Sequence, residues 1–401
     1  MRWFFALFLI FLSSLAAAKP IEIITTENNG YELFVDGEPF LIKGVCYSPI
    51  PVGQDHNYNF WKDIKSIEED AELMSRAGIN VVRFYSVADN WEDTRTVIKL
   101  LYEKYGIYSI VGTWLGFWNY PYPFYADESF RQQVSDEVLE MVKNLKDQPG
   151  ILMWGLGNEN NFSFSGKVNP WTSKQLSEID DPTEKINAKA AIYYSMVNDI
   201  ARRIKEVDAQ HPVAMGNGEL ITLDQAAMYA PDIDVLALIF YRGKRFGSMF
   251  DRVRNIFDKP VMLFEMGCDA YNAYIQQEDQ SAQAEFLLEQ WKDVYRHTVV
   301  SGNSEGNTLG GIIFEWTDEW WKHDPADAHG WRIHNTESTW SNGAYYFDIK
   351  AERNLNMNEE WFGLVGFRQN DSGAFLRKPR KSYYILSEFF HNPQVFMKDE
   401  K

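Results

Sequence analysis

The sequence predicts an α/β protein, a (β/α)8 TIM barrel, and three observations carry that expectation. Eight short β-rich runs begin near Leu41, Ile79, Ile107, Ile151, Pro212, Ile233, Pro260 and Leu309. The stretches between them carry apolar residues at helical spacing. Gly78, Gly106 and Gly150 stand where a helix gives way to a strand, the place for a C-cap glycine. An open doubly wound sheet is the runner-up. It calls for a Gly-rich phosphate loop after an early strand, and the chain has none.

The elements follow in order. Residues 1–18 read as a signal peptide: Arg2 is a short basic region, Trp3 to Leu12 a short apolar run, and Ala16 and Ala18 a small-x-small cleavage site before Lys19. The run is too short for a bilayer span, and a retained N-terminal anchor is the alternative. "YELFVDGEPFLIKG" alternates apolar and polar residues around Asp36-Gly37, the pattern of a β-hairpin, which is expected to cap one end of the barrel. Ile64, Ile67, Ala71 and Met74 share one helical face, as do Phe130, Val134, Val138, Met141 and Leu145, and Ile192, Met196, Ile200 and Ile204. After the eighth strand a long irregular loop is expected from His323 to Phe375, then a final helix near Lys381 to Phe390. Residues 19–401 read as one domain, and 45% hydrophobic residues suffice for its core.

Composition narrows the function. The net charge is −18 and no basic stripe exists, which argues against a nucleic-acid partner. "RKPRK" (Arg377 to Lys381) is short and isolated and reads as a solvated face. Aromatic residues make up 15% of the chain, enough for a cleft that stacks flat ligands such as sugar rings. The two cysteines, Cys46 and Cys268, read as buried thiols rather than a disulfide framework. Asn161-Phe-Ser and Asn370-Asp-Ser fit the N-glycosylation pattern.

Active sites of such barrels sit at the C-terminal ends of the strands. Those ends deliver Arg83 and Tyr85 (second strand), Thr113 and Trp114 (third), "GLGNEN" with Asn158 and Glu159 (fourth), and Asn217 and Glu219 (fifth). The last three deliver Tyr241 and Arg242, then Glu265 and Asp269, and finally "IIFEWTDEWWK". The set is rich in carboxylates and aromatics and poor in histidine. It holds no H-x-H, H-E-x-x-H or cysteine cluster for a metal and no G-x-S-x-G elbow, so no metal or organic cofactor is expected. His323-Asp324 reads as structural.

Two carboxylates across an aromatic cleft suit cleavage of a glycosidic bond, one as general acid and one as nucleophile. A dry aromatic wall keeps the acid protonated, and a nearby arginine, for which Arg83 is the candidate, keeps the nucleophile ionised. Tyr241 is placed to orient the same carboxylate. Trp316 is the candidate floor for a stacked sugar, and Trp114 and Glu219 complete the expected substrate-binding set. Glu219 and Glu315 also stand at strand ends as rivals for the catalytic pair. Glu315, Asp318 and Glu319 are expected to shape subsites or pair with loop donors. Trp118, Tyr120, Tyr122, Trp320, Trp321, Trp331 and Trp340 are further subsite candidates.

"GNEN" after the fourth strand and "LFEMG" after the seventh resemble the paired motifs of clan A retaining glycoside hydrolases. "FLIKGVCYSP", "NVVRFYSV" and "PVMLFEMGC" resemble the β-1,3-glucanosyltransferases and related β-glucanases, and "NEEWFGLVGF" resembles the barrel domain of family 2 enzymes. The resemblance implies Glu159 as acid/base, Asn158 as the partner of the sugar 2-hydroxyl and Glu265 as nucleophile. The chain departs from the pattern in three ways. Thr113 and Trp114 stand where many clan members carry histidine. The preceding β-sandwich domains of family 2 have no room. One glutamate and two cysteines stand where the transferases usually carry a glutamate pair or several disulfides. The expected protein is a secreted or periplasmic β-glycosidase or transglycosylase. Its expected partner is an oligo- or polysaccharide, β-glucan before β-mannan. A non-catalytic glycan-binding barrel is the alternative.

Overall fold

The computed structural model describes residues 20–54, 56–118, 124–166, 168–272, 275–322 and 359–398. The signal-peptide expectation, His323-Asp324, Tyr120, Tyr122, Trp331 and Trp340 lie outside the described residues.

Before the barrel, β1 (Ile21–Thr25), β2 (Tyr31–Val35) and β3 (Glu38–Pro39) form a three-stranded antiparallel sheet. The expected hairpin is its β2–β3 half. Asp36 and Gly37 turn it with φ of 57° and 78°, the left-handed values that a two-residue hairpin turn requires. Leu33 and Val35 of β2 point into the inner core and cover the N-terminal end of the barrel. β1, with its apolar residues half exposed, was not foreseen.

Eight parallel strands close the barrel: β4 (Ile42–Cys46), β5 (Val81–Phe84), β6 (Tyr108–Thr113), β7 (Ile151–Leu156), β8 (Val213–Gly218), β9 (Val235–Ile239), β10 (Val261–Met266) and β13 (Thr308–Ile313). A small ladder of β11 (Tyr271–Asn272) and β12 (Gln277–Glu278) sits between the last two. Each observed strand begins within two residues of its expected start. Around the barrel lie α1 (Ile64–Arg76), α2 (Trp91–Tyr105), α3 (Glu128–Leu145), α4 (Lys174–Ser177), α5 (Pro182–Val207), α6 (Leu223–Tyr229), α7 (Met249–Ile256) and α8 (Gln280–Arg296). The expected helix faces are the buried ones: Ile67, Ala71 and Met74 on α1, Val134, Val138, Met141 and Leu145 on α3, and Met196, Ile200 and Ile204 on α5.

The core has two layers, because a barrel strand sends alternate side chains inward and outward. The inner layer holds Ile42, Val81, Ile110, Met153, Ala237, Met262, Phe264 and Ile312. The outer layer, between strands and helices, holds Val45, Val82, Val111, Trp154, Leu236, Leu263, Ile313 and Trp316.

Part of the segment expected to be irregular is ordered. β14 (Val365–Gln369) and β15 (Phe375–Pro379) form an antiparallel hairpin around Asn370, whose Oδ1 accepts from the backbone N–H of Ser372 and Ala374. α9 (Lys381–His391) and α10 (Pro393–Phe396) follow. The reading of "RKPRK" as a solvated face is corrected. Arg377 grips buried Asp70 of α1 with two bonds of 2.7 and 2.9 Å, and Arg380 grips buried Asp318 at 2.6 and 2.8 Å. These guanidiniums fasten the C-terminal segment to the barrel. Their partners are distant in sequence, so a run of basic residues carries no trace of them.

Candidate active site

The opening of the barrel at the strand C-termini is organised around Arg83. Its side chain is 1% exposed, and its guanidinium lies between the rings of Tyr85 and Phe264, 4.2 and 3.4 Å from their centroids. Nη1 donates to Glu265 Oε1 at 2.9 Å and to the Phe264 carbonyl at 3.0 Å, while Nη2 donates to Asn158 Oδ1 at 2.6 Å. One side chain thus joins β5 to the ends of β7 and β10.

Glu265 receives two more donors. The Tyr85 hydroxyl reaches Oε1 at 2.7 Å and the Tyr241 hydroxyl reaches Oε2 at 2.9 Å. Burial and the Glu265 charge push both tyrosines well above the usual phenol range, so they remain donors. Tyr85 was noted at the end of its strand but given no role by the sequence reading. The signal was available: it stands two residues after Arg83, on the same face of the strand.

Glu159 is placed differently. It is part-exposed, and its carboxyl has no hydrogen-bond partner among the described residues. Burial first, then the charges of Glu265 and Glu359, raise its proton affinity well above the usual carboxyl range, against the opposing pull of Arg83 and Lys322. The two carboxyls therefore sit in contrasting surroundings, one held by three donors and one left to keep a proton.

The chain around Glu159 is pinned by its neighbours. Gly157 has φ 73°, and a Cβ there would lie 2.6 Å from the Tyr193 hydroxyl. Only glycine makes that turn in that space. Asn160 Oδ1 accepts from the Asn158 N–H at 2.8 Å, and Asn160 Nδ2 donates to the Trp114 carbonyl and the Tyr125 hydroxyl. Asn161 exchanges two 2.8 Å bonds with the Gly218 backbone and is 2% exposed. Asn161 is thus closed to glycosylation in the folded chain, and of the three amides in "NENN" only Asn158 faces Arg83.

An aromatic row leads away from Glu265. Trp114 stacks on Tyr85 with centroids 5.1 Å apart and planes 13° from parallel, and Trp118 meets Trp114 edge-on at 6.2 Å and is 60% exposed. Trp316 stands elsewhere. It is 1% exposed, lies in the outer core layer, and packs edge-on against Tyr383 of α9. The expected sugar floor at Trp316 is corrected on this ground: the alternation of inward and outward positions does not continue past Phe314, and the ring falls in the outer layer. Phe314, two residues earlier, lies in the inner layer.

Glu219 lies beside this group, where Arg242 Nε and Nη2 hold its Oε2 at 3.0 and 2.7 Å. Asn217 is completely buried and receives the Tyr194 hydroxyl at 2.7 Å. Beyond β13, Lys322 lies 2.6 Å from Glu319 and also donates to Glu359. Burial pushes the Glu319 carboxyl up to about 8. Both cysteines are free and buried, and Cys46 Sγ lies 4.0 Å from Arg83 Nη1. Burial pushes the Cys46 thiol up to about 12. Among the described residues no group of three or more His, Cys, Asp or Glu is arranged to hold a metal ion.

A family model described as glucanosyltransferase matches residues 12–213, just over half of the chain and a span that includes Glu159. No curated protein sequence matches. Solved structures similar in fold include a family 2 β-galacturonidase from Eisenbergiella tayi bound to galacturonate, at 16% identity and a TM-score of 0.56. They also include a β-D-glucuronidase from Dictyoglomus thermophilum (14%, 0.55) and a β-glucuronidase from Ruminococcus gnavus (12%, 0.57). Each alignment covers 93% of this chain and 53–54% of the other, so the chain spans about half the length of these structures. At these identities the likeness concerns the fold. The match over half of the sequence shows that the chain belongs to the glucanosyltransferase family.

Proposed function

We propose that this protein is a retaining β-glycosidase or transglycosylase that acts on a β-linked glycan by double displacement, with Glu265 as nucleophile and Glu159 as acid/base. The observation that carries the reading is the contrast between the two carboxyls. Glu265 is met by Arg83, Tyr85 and Tyr241, while Glu159 has its proton affinity raised by burial and by Glu265. The first suits a nucleophile with a defined direction of attack. The second suits an acid that still carries its proton near neutral pH.

In the first step Glu265 attacks the anomeric carbon and Glu159 gives its proton to the departing oxygen, leaving a glycosyl ester on Glu265. In the second step Glu159 takes a proton from water or from a sugar hydroxyl as that oxygen displaces Glu265. Asn158, oriented by Arg83, is assigned to the sugar 2-hydroxyl. Tyr85, Trp114 and Trp118 offer a stacking surface leading out of the site. The family match supports a glucan as the first substrate class, and β-mannan is the second in this reading. Residues 19–401 act as one domain in this reading, and the leader at 1–18 directs it out of the cytoplasm. No helix among the described residues is long and apolar enough to cross a membrane.

The test is product analysis with purified protein on β-1,3-, β-1,4- and β-1,6-glucans and β-mannan, with Glu265→Ala as control. Cleavage or elongation of one glycan, lost in the control and releasing the β-anomer first by proton NMR, is expected. First release of the α-anomer would sink the double displacement.

A further inference from the structure

Of the three acids that follow β13, Asp318 and Glu315 are treated in opposite ways. Asp318 has its needs met: Arg380 donates to both of its oxygens, and the Gly363 N–H donates to Oδ1 at 3.0 Å. Glu315 does not. It is 2% exposed, and its Oε1 is buried with no hydrogen-bond partner among the described residues. Two other buried acids are supplied with donors. Asp70 receives Arg377 and the Tyr47 hydroxyl, and Asp208 receives Trp154 Nε1 and pairs with His211. A buried oxygen left without a donor costs stability, and that cost is a mark of function when the surrounding groups have room to be something else.

The surroundings of Glu315 point to a ligand. Burial and Glu319 raise its proton affinity well above the usual range against the pull of Lys322, with Glu359 adding to the rise. Lys322 is already shared between Glu319 and Glu359. This group adjoins the reacting pair: the N–H of Phe314, next to Glu315, donates at 2.9 Å to the carbonyl of Met266, next to Glu265, and Lys322 Nζ lies 5.5 Å from the Phe314 ring.

We propose that Glu315, beside the Glu319–Lys322 pair, hydrogen-bonds ring hydroxyls of the sugar seated at Glu265, and that the acids around it admit neutral sugars and exclude uronic acids. The inference rests on the reading of Glu159 and Glu265 as the reacting pair. A carboxyl that keeps its proton donates through one oxygen and accepts through the other, which matches two neighbouring sugar hydroxyls. A sugar carboxylate in the same place would meet Glu265, Glu319 and Glu359, with Lys322 already engaged by two of them. The solved barrels of similar fold include a β-galacturonidase and β-glucuronidases. The barrel is therefore neutral on this choice, and the side chains at its mouth make it.

The experiment measures binding by calorimetry on the full chain carrying Glu159→Gln, which suppresses turnover and keeps the Glu265 charge on Arg83. The probes are β-1,3- and β-1,4-linked glucose tetrasaccharides, a β-1,4-linked mannose tetrasaccharide, and the same three oxidised to carboxylates at C6. One neutral sugar is expected to bind, with its oxidised form at least about 30-fold weaker, the effect of one uncompensated like charge. Glu315→Leu is expected to weaken the neutral sugar by about 10-fold or more and Glu315→Gln by less, because the amide still donates and accepts. The melting temperature of the Leu variant should be no lower than that of its parent, which a structural role for Glu315 would not allow. Equal binding of a neutral sugar and its oxidised form overturns the exclusion. An unchanged Kd in Glu315→Leu overturns the contact, and if that variant does not fold, the comparison of sugars on the parent decides. Absence of binding by every neutral probe overturns the substrate class. Turnover by the wild type is scored separately. Turnover with binding that ignores Glu315 removes this inference and keeps the reaction, while Glu315-dependent binding without turnover does the reverse.

Discussion

Arg83 and Glu265 form an ion pair of 2.9 Å in which both side chains are less than a tenth exposed, and the other arm of the same guanidinium holds Asn158 at 2.6 Å. The pair sets the position of the proposed nucleophile and of the amide assigned to the sugar 2-hydroxyl. Replacing Arg83 by Met leaves Glu265 buried without its cation. The expected cost is about 3–5 kcal/mol of folding stability and at least about 100-fold in kcat/KM. Arg83→Lys restores charge but not the fork, so most of the activity loss should remain. Urea unfolding and steady-state kinetics on the same preparations check both figures. Wild-type kcat/KM in Arg83→Lys would show that the fork is dispensable.

Tyr85 and Tyr241 approach different oxygens of Glu265, at 2.7 and 2.9 Å. Tyr85→Phe and Tyr241→Phe each delete one hydrogen bond to a charged group, worth about 1.5–3 kcal/mol. Each should lower kcat by about 10- to 100-fold. Because Tyr85 also stacks on Trp114, Tyr85→Ala should raise KM for long glycans beyond the effect of Tyr85→Phe. Equal KM in the two Tyr85 variants would separate the ring from substrate binding.

Glu159 owes its raised proton affinity to burial, then to Glu265 and Glu359, with Arg83 and Lys322 opposing. An acid of this kind acts while protonated, so activity is expected to fall as pH rises through its folded-state value. Glu359→Gln removes a raising charge and should move that alkaline limb to lower pH. Lys322→Met removes a lowering charge and should move it to higher pH. Shifts in the same direction would contradict the assignment. Stability follows from the same sign. The folded-state value lies above the unfolded value of about 4.3, so the contribution of the group is fully present below that pH and is lost as pH rises through the folded value. Glu159→Gln should therefore gain more stability over wild type at pH 8 than at pH 4, measured by urea unfolding.

Arg380 reaches Asp318 with two bonds and also meets Glu278 at 2.9 Å, with its side chain 2% exposed. Arg380→Met leaves Asp318 buried without its cation and should cost about 3–5 kcal/mol. Lys65→Met breaks an exposed pair on α1, 3.8 Å apart, and should change stability by no more than about 0.5 kcal/mol. The contrast is read from urea midpoints, and a small effect at Arg380 would mean that α9 docks without it.

The barrel was legible because its signals are local. Strand runs, helix faces and junction glycines lie within a few residues of each other, and a helix or strand answers to that spacing. Arg83, Asn158, Tyr241 and Glu265 were legible as strand-end residues, and the fold brings these four into one hydrogen-bonded group with Tyr85. Glu219 was expected to bind substrate and is held by Arg242, a neighbour across the adjacent strand. Trp316 was misplaced because the side to which a residue points just past a strand depends on how the chain leaves the sheet.

By itself the sequence determined the eight-unit barrel, the capping hairpin, the two glutamates at strand ends and the acidic, cation-poor character of the chain, since each follows from composition or from short-range pattern. The tertiary structure alone decided which acids are satisfied and which are not. Asp318 and Asp70 meet arginines about 60 and 300 residues away in the chain, and Glu315 meets none among the described residues. That distinction depends on barrel closure, which brings strand ends far apart in sequence within hydrogen-bond reach and withdraws water from the space between them. The same withdrawal of water separates the proton affinity of Glu159 from that of an ordinary glutamate.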